Sequence, residues 1–214
     1  LRITFAHEDL FDFPSDEKGG YVKLLFKDKF TNAELVRPYT VRDFRKNKLE
    51  LDIDFAIHSE DSGYASSWAS KAKIGDQIYI SGPGAKNIVD LSYNWFFLVG
   101  DMSSLPAISV NIEGLNKNSI GSAIIEIPTE EDKQKIIKPE NFFIDWLINS
   151  DPKKSSERLL EKVKQVKWYN DDPYIWVACE FNAMKVLRNF FQNEKKISKK
   201  NMYISSYWKK GIDQ

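Results

Sequence analysis

The sequence predicts two domains: an N-terminal antiparallel β-barrel, then a C-terminal α/β domain with a parallel sheet. Three observations carry this. Residues 49–58 alternate apolar and polar with period two. Residues 95–99, WFFLV, form a continuous apolar run ending at Gly100-Asp101. Beyond residue 90, strand-like segments alternate with helix-like ones. The change of rhythm places the boundary near Asp90, giving domains 1–90 and 91–214.

The elements follow in order. Tyr21–Phe26 reads as a short strand and Arg37–Phe44 as another. In the alternating stretch, Leu49, Leu51, Ile53, Phe55 and Ile57 face one way, while Glu50, Asp52, Asp54 and His58 face the other. Tyr64–Ala69, rich in small residues, reads as a short helix. Gln77–Ile80 is a strand expected to stop at the breaker Ser81-Gly82-Pro83-Gly84. Short strands with polar faces suggest a small closed barrel.

In the second half, Leu105–Leu115 reads as a helix with Pro106 in its first turn. Ser122–Ile127 and Phe142–Ile148 are strands. Ser155-Ser156 caps a helix whose stripe is Leu159, Leu160, Val163 and Val166. Tyr174–Ala178 is a buried strand, Phe181–Phe191 a helix and Met202–Ile204 the last strand. Segments 151–154 and 198–200 read as loops. In open parallel sheets ligands sit beyond the carboxyl ends of strands, and the loops after Val99 and Ala178 each carry an acid there, Asp101 and Glu180.

Composition narrows the function. The 214 residues are 42% hydrophobic and 29% charged, with zero net charge, so no global field points to nucleic acid. No stretch approaches the roughly 20 apolar residues that span a bilayer, so neither a membrane nor a nucleic acid is expected as partner. The single Cys179 forms no internal disulfide, which suits a reducing compartment. One Cys and two His make no convincing metal cluster. The first residue is Leu1 rather than Met, which leaves a preceding segment open. Aromatic residues reach 14%, enough for stacking sites as well as core.

The stretch RPYTVR, residues 37–42, is unlike a core strand. Arg37, Tyr39 and Thr40 supply a cation, a flat ring and a hydroxyl, which suit a planar, partly anionic ligand; an edge strand explains them equally well. Alternation puts Arg37 and Tyr39 on one face and Thr40 on the other, unless Pro38 bends the strand.

Several stretches together resemble the siderophore-interacting proteins, FAD-containing ferric-siderophore reductases of the ferredoxin–NADP reductase superfamily. They are Arg37-Pro38-Tyr39-Thr40, Asp54–His58, Gly63–Ala69, Gly82-Pro83-Gly84, Gly100–Ile108, Trp176–Glu180 and Tyr207-Trp208-Lys209-Lys210-Gly211. The resemblance implies a flavin-binding barrel, a nucleotide-binding-like domain, and a C-terminal tail that follows the last strand and folds back toward the flavin. It further implies FAD as cofactor, NAD(P)H or ferredoxin as donor, a ferric siderophore as substrate, and a cytoplasmic location. The family usually has Gly-Pro-Ala-Ser where this chain has Gly63-Tyr64-Ala65-Ser66. It has Gly-Asp-Glu-Thr-Ala-Leu-Pro where this chain has Gly100–Pro106, and Ala-Gly-Glu where this chain has Ala178-Cys179-Glu180. The Met102 and Cys179 departures leave the donor's identity open.

Carried over by that resemblance, the flavin-side residues are Arg37, Pro38, Tyr39, Thr40, Asp54, Phe55, His58, Ala65, Ser66 and Ser67. The donor side is Gly100, Asp101, Ser103, Pro106 and Glu180, and the substrate side is Trp208, Lys209 and Lys210. Several carry plainer readings. His58 fits the wet face of a strand, Ser66 and Ser67 an ordinary helix start, and Trp68 the core. Gly100–Pro106 also fits a tight capped turn, and Glu180 a carboxylate at a helix start. Between Lys185 and Lys210 stand eight basic residues and one acid, Glu194. That excess suits an anionic partner; for Lys195, Lys196, Lys199 and Lys200 a solvated face explains it. No residue is expected to ligate iron, which stays inside its chelator.

Overall fold

The computed structural model describes residues 1–27, 34–57, 63–151, 155–168 and 173–211. The chain forms two compact units, Leu1–Asn87 and Ile88–Ile212.

The first unit is built from β1 (Arg2–Ala6), β2 (Tyr21–Lys27), β3 (Glu34–Thr40), β4 (Asp43–Arg45), β5 (Glu50–Asp54), α1 (Tyr64–Lys71) and β6 (Tyr79–Gly84). All pairings are antiparallel. The closed barrel expected from the sequence is not what the described residues form: they pair as two three-stranded sheets, β1-β5-β4 and β3-β2-β6. The reason is local. At the end of β3 the chain changes sheets within one dipeptide: Val41 N–H donates to Gly20 O at 2.9 Å, while Arg42 N–H donates to Asp52 O at 3.0 Å. The expected strand 37–44 is thereby split into β3 and β4. Both sheets still share one core, with Val22, Leu24, Val41, Leu51 and Ile53 wholly buried and Ala65 and Ala69 of α1 packed against them. Each large apolar side chain so buried contributes about 1.5–3 kcal/mol.

Two further details depart from the sequence reading. Asp52, assigned to the polar face of β5, is 5% exposed. It is held there by Arg45, whose Nη1 and Nη2 donate to its two oxygens at 2.6 and 2.7 Å, and by Thr4 Oγ1 at 2.7 Å. Ser81–Gly84, expected to end a strand, lies inside β6. β6 pairs with β2 alone and sits at the edge of its sheet, where proline costs no ladder bond. At Gly84 any Cβ would strike the Tyr21 ring at 2.1 Å.

The second unit contains β7 (Trp95–Asp101), α2 (Leu105–Glu113), β8 (Ile120–Ile127), β9 (Phe142–Ile148), α3 (Ser155–Gln165), β10 (Tyr174–Glu180), α4 (Phe181–Asn189) and β11 (Met202–Trp208). The strands form one parallel sheet in the order β11-β10-β7-β8-β9. β7 is buried along its whole length because helices cover both faces, which is why its sequence is a continuous apolar run. Phe96 and Leu98 point into the cluster with Ile108 and Ile112 of α2, while Phe97 and Val99 point into the cluster with Leu159, Val163, Met184 and Leu187 of α3 and α4. α4 ends two residues before the expected Phe191 and continues as a π-helical turn, Phe190–Glu194. The expected helix opens at Ser155, while the side chains of the Ser155-Ser156 cap and the 152–154 part of the expected loop fall outside what is described.

The last strand runs through Trp208, so Tyr207 and Trp208 are part of β11 rather than a tail after it. A bulge makes this extension fit: Cys179 faces Ser206 and Glu180 faces Trp208, leaving Tyr207 as the extra residue.

Candidate functional site

The parallel sheet has its topological switch point between β7 and β10. The chain leaves β7 toward β8 and β9, then returns to β7's other side as β10. A crevice for a ligand lies at the carboxyl ends of such a pair. Asp101 is the last residue of β7 and Glu180 the last of β10, so both acids predicted from the sequence stand at that point.

Asp101 is 5% exposed and fully occupied. Its Oδ1 accepts from Ser103 N–H at 2.9 Å and from the Ser103 hydroxyl. Its Oδ2 accepts from Glu180 N–H at 2.9 Å and from the Trp208 indole N–H at 2.8 Å. One carboxylate thus ties together the ends of β7, β10 and β11. Burial pushes its pKa above the usual carboxylate range, against the pull of these four donors.

Gly100 allows this turn to close. A Cβ there would meet Ser104 Oγ at 2.1 Å, Ile108 Cδ1 at 2.5 Å and Ala178 O at 2.8 Å. Ser104 caps the turn, its Oγ donating to Asp101 O at 3.0 Å, and Pro106 sits in the first turn of α2, where no N–H is required. Glu180 is the N-cap of α4: its Oε2 accepts from Asn182 N–H and from Ala183 N–H at 3.2 Å. Its Oε1 accepts from Lys210 N–H at 3.3 Å, which anchors the residues after β11. Lys209 Nζ lies 4.9 Å from the centre of the Phe181 ring, and Lys185 Nζ 5.5 Å from it. Sequence reasoning missed the Trp208–Asp101 bond, which joins residues 107 apart in the chain. It also missed Glu126, which is opposite Asp101 on β8 and 7% exposed. Cys179 is buried beside Asp101, Glu126 and Glu180; burial first, then these carboxylates, push its thiol well above the usual range. Met102 packs against the α2 side of the core.

In the first unit, Leu35, Arg37 and Tyr39 share one face of β3, with Val36 and Pro38 exposed on the other. The Arg37 guanidinium donates to Val36 O at 3.1 Å through Nη1. Tyr39 lies 4.6 Å, ring centre to centre, from Phe55, and burial pushes its hydroxyl up to about 12. Thr40 is half-buried at the sheet's end, opposite Tyr21. The Asp54 carboxylate is bound by Arg2, through Nε at 2.7 Å and Nη2 at 2.9 Å, and Arg42 Nε is 3.7 Å away. Phe55 is 2% exposed, so its ring is core and its backbone pairs with Leu1. Ala65 and Ser66 are buried and Ser67 half-buried in α1; Trp68 packs on Phe5, Phe26 and Phe55. His58 lies outside the described residues.

The donors in this unit fit an FAD. Gly63 caps α1 with no side-chain bond, so the helix's first N–H groups suit a diphosphate. Arg37 offers a guanidinium beside a phenol.

An antiparallel unit with such donors, followed by a doubly wound parallel sheet, is the architecture of ferredoxin–NADP reductase-type flavin reductases. Solved members of that wider fold, such as the reductase of Plasmodium falciparum, overlay with a TM-score of 0.67 at 17% identity, over 96% of this chain and 88% of theirs. The sequence profile for "Siderophore-interacting protein" matches residues 93–211, and that for "Siderophore-interacting FAD-binding domain" matches 27–87. The ferric vibriobactin reductase ViuB of Vibrio cholerae is 31% identical over 233 residues, covering 100% of this chain and 85% of that protein. The siderophore-interacting protein SipS of Aeromonas hydrophila overlays with a TM-score of 0.87 at 28% identity, over 99% of this chain and 86% of that one. The chain belongs to the siderophore-interacting protein family and is an FAD-dependent oxidoreductase.

Proposed function

We propose that this protein reduces ferric siderophores in the cytoplasm. In this reading FAD is held by residues 1–90, and electrons arrive from NAD(P)H or ferredoxin at residues 91–214. The observation that carries the reading is likeness over the entire chain to a ferric vibriobactin reductase. The single Cys179, buried and with no second cysteine to pair with, suits a reducing compartment.

FAD, when bound, takes up an electron pair and gives out single electrons, which matches a hydride donor to a one-electron ferric acceptor. The chain's own residues bind and orient. Arg37 neutralises negative charge on the cofactor, and Tyr39, braced by Phe55, covers its ring system. Pro38 and Thr40 contribute backbone and hydroxyl contacts. Asp54 acts by holding Arg2 and Arg42, and Phe55 by packing. By likeness to the family, His58 joins the residues that line the flavin's ribityl chain. Ala65, Ser66 and Ser67 present the start of α1 to the diphosphate.

On the donor side, Gly100, Ser103 and Pro106 shape the turn that receives the donor, while Asp101 and Glu180 hold it rigid. Trp208, Lys209 and Lys210 meet the anionic siderophore. Iron enters and leaves inside its chelator. Reduction weakens the chelator's grip, because hard oxygen ligands hold Fe(II) less tightly.

The test is the visible spectrum of the purified protein, followed by turnover. A ferric siderophore is offered with NADH, NADPH and reduced ferredoxin in turn, and Fe(II) is trapped by a colour-forming chelator. A protein that takes up no FAD ends the proposal. Flavin that is reduced without Fe(II) appearing points to another acceptor, such as a quinone or a protein.

A further inference from the structure

The zero net charge of this chain conceals a separation of charge within the second unit. The five strands run parallel, so the loops entering them share one edge and the loops leaving them share the other. Acids gather at the leaving edge: Asp101, Glu126 and Glu180, then Glu130 and Glu131 just after β8. Lysines gather at the entering edge, in the corner ahead of β10 and β11. Lys195, Lys196, Lys199 and Lys200 lie on the loop into β11, and Lys167 follows α3; all five are exposed. The basic run of residues 185–210 is therefore divided. Lys185, Lys209 and Lys210 belong to the leaving edge, and the other four lysines lie at the opposite end of a seven-residue strand, about 20 Å away. Those four stand a strand's length from the acids at the switch point.

The loop is also built rigidly. Ile197 is 7% exposed within the core, and its N–H donates to Phe191 O at 2.9 Å. Asn201, 4% exposed, accepts from the Tyr93 hydroxyl at 2.9 Å. Lys195 Nζ lies 4.4 Å from the centre of the half-buried Trp168 ring. Two buried anchors thus fix a loop on which Lys196, Lys199 and Lys200 are exposed, while Lys195 lies over the Trp168 ring. Among the described residues the acids near this corner are Glu194, 3.8 Å from Lys164, and Asp90, whose charge acts on Tyr174 at the start of β10; Asp171 and Asp172 lie outside the described residues.

We propose that this corner docks the protein on an anionic phospholipid surface. The cluster is lysine throughout; the nearby Arg188 is engaged with Ile204 O at 3.0 Å. Lysine offers a hydrated point charge rather than the flat fork that reads a single phosphate or carboxylate, so a diffuse plane of charge is the better complement. Docking at this edge keeps the bilayer away from the leaving edge of the same sheet. The inference does not depend on the siderophore reading. It revises the sequence-based expectation of no membrane partner, because a net charge sums over faces that a bilayer would meet separately.

The experiment is co-sedimentation of the purified full-length protein with vesicles of phosphatidylcholine, with and without phosphatidylglycerol. The protein should pellet with the anionic vesicles and stay soluble with the neutral ones, and added salt should release it. Charge reversal at Lys196, Lys199 and Lys200 should lower vesicle partitioning at least about a hundredfold, since loss of each positive charge alone accounts for roughly fivefold. Lys195 is spared because it packs on Trp168. A control reversing Lys73, Lys133 and Lys135 changes net charge equally and should partition like the parent. Melting temperature and flavin content report that each variant is folded. Three outcomes overturn the proposal: equal partitioning to neutral and anionic vesicles, no partitioning to either, or equal loss in the control. Retention on immobilised RNA without vesicle binding also overturns it, in favour of a nucleic-acid surface.

Discussion

Asp101→Asn removes one acceptor from the most connected side chain of the second unit. The carboxylate receives two N–H donors at Oδ2, from Glu180 and Trp208, and one N–H and one hydroxyl at Oδ1, both from Ser103. An amide of the same shape has one oxygen and one NH2. Its better orientation turns the oxygen to Glu180 and Trp208 and the NH2 to Ser103, whose hydroxyl rotates to accept. The Ser103 N–H then loses its partner, and the bonds that remain lose their charge. A hydrogen bond to a charged group is worth about 1.5–3 kcal/mol, against about 1 kcal/mol for a neutral one, so the variant should lose roughly 2–4 kcal/mol. That corresponds to a drop in Tm of about 5–15 °C for a unit of this size. The assay is thermal unfolding of the parent, Asp101→Asn, Trp208→Phe and the double variant. Because the indole N–H meets the carboxylate at 2.8 Å, the double-mutant cycle should give a coupling of about 1–2 kcal/mol. Two single changes that add to within about 0.5 kcal/mol would show that Asp101 does not hold β11, and the account of the site as a rigid edge would fail.

Other outcomes follow from the same geometry. Gly100→Ala should destabilise by roughly 1–3 kcal/mol, because the new Cβ meets the Ala178 carbonyl and α2 at once; a melting curve like the parent's would mean that α2 moves freely over β7. Tyr39 has a folded pKa near 12, above its unfolded value of 10.0. Its contribution is complete below pH 10 and is lost as pH rises through 12, about 2–3 kcal/mol in all. Ultraviolet titration of the parent against Tyr39→Phe should show one phenol that ionises only near pH 12, and early ionisation would contradict its burial. Arg37→Ala should leave Tm nearly unchanged, since the guanidinium bonds only to the neighbouring Val36 carbonyl among the contacts described. The same change should weaken FAD binding about tenfold to a hundredfold, measured by equilibrium dialysis of the flavin. Retention of FAD equal to the parent's would remove Arg37 from the cofactor site.

Sequence alone determined what depends on neighbours along the chain. The alternation of strands and helices beyond residue 90, with its unbroken apolar run 95–99, made a parallel sheet between helices legible, and with it the acids at the ends of β7 and β10. The glycine at position 100 and the proline at 106 announced the turn between β7 and α2, because each answers a constraint within a few residues. What tertiary structure decided is where side chains met partners far away in sequence. Asp52 was read as solvent-facing by alternation, yet Arg45 and Thr4 hold it inside. The division into two sheets arose from two adjacent N–H groups choosing different strands, which periodicity does not encode. Trp208 became part of β11 because a bulge at Tyr207 brought its indole to Asp101. The basic run was one feature in sequence and two in space, since a strand of seven residues carries its ends to opposite edges of the sheet. Local pattern reports which face a residue prefers; only the folded chain settles which charge that face will meet.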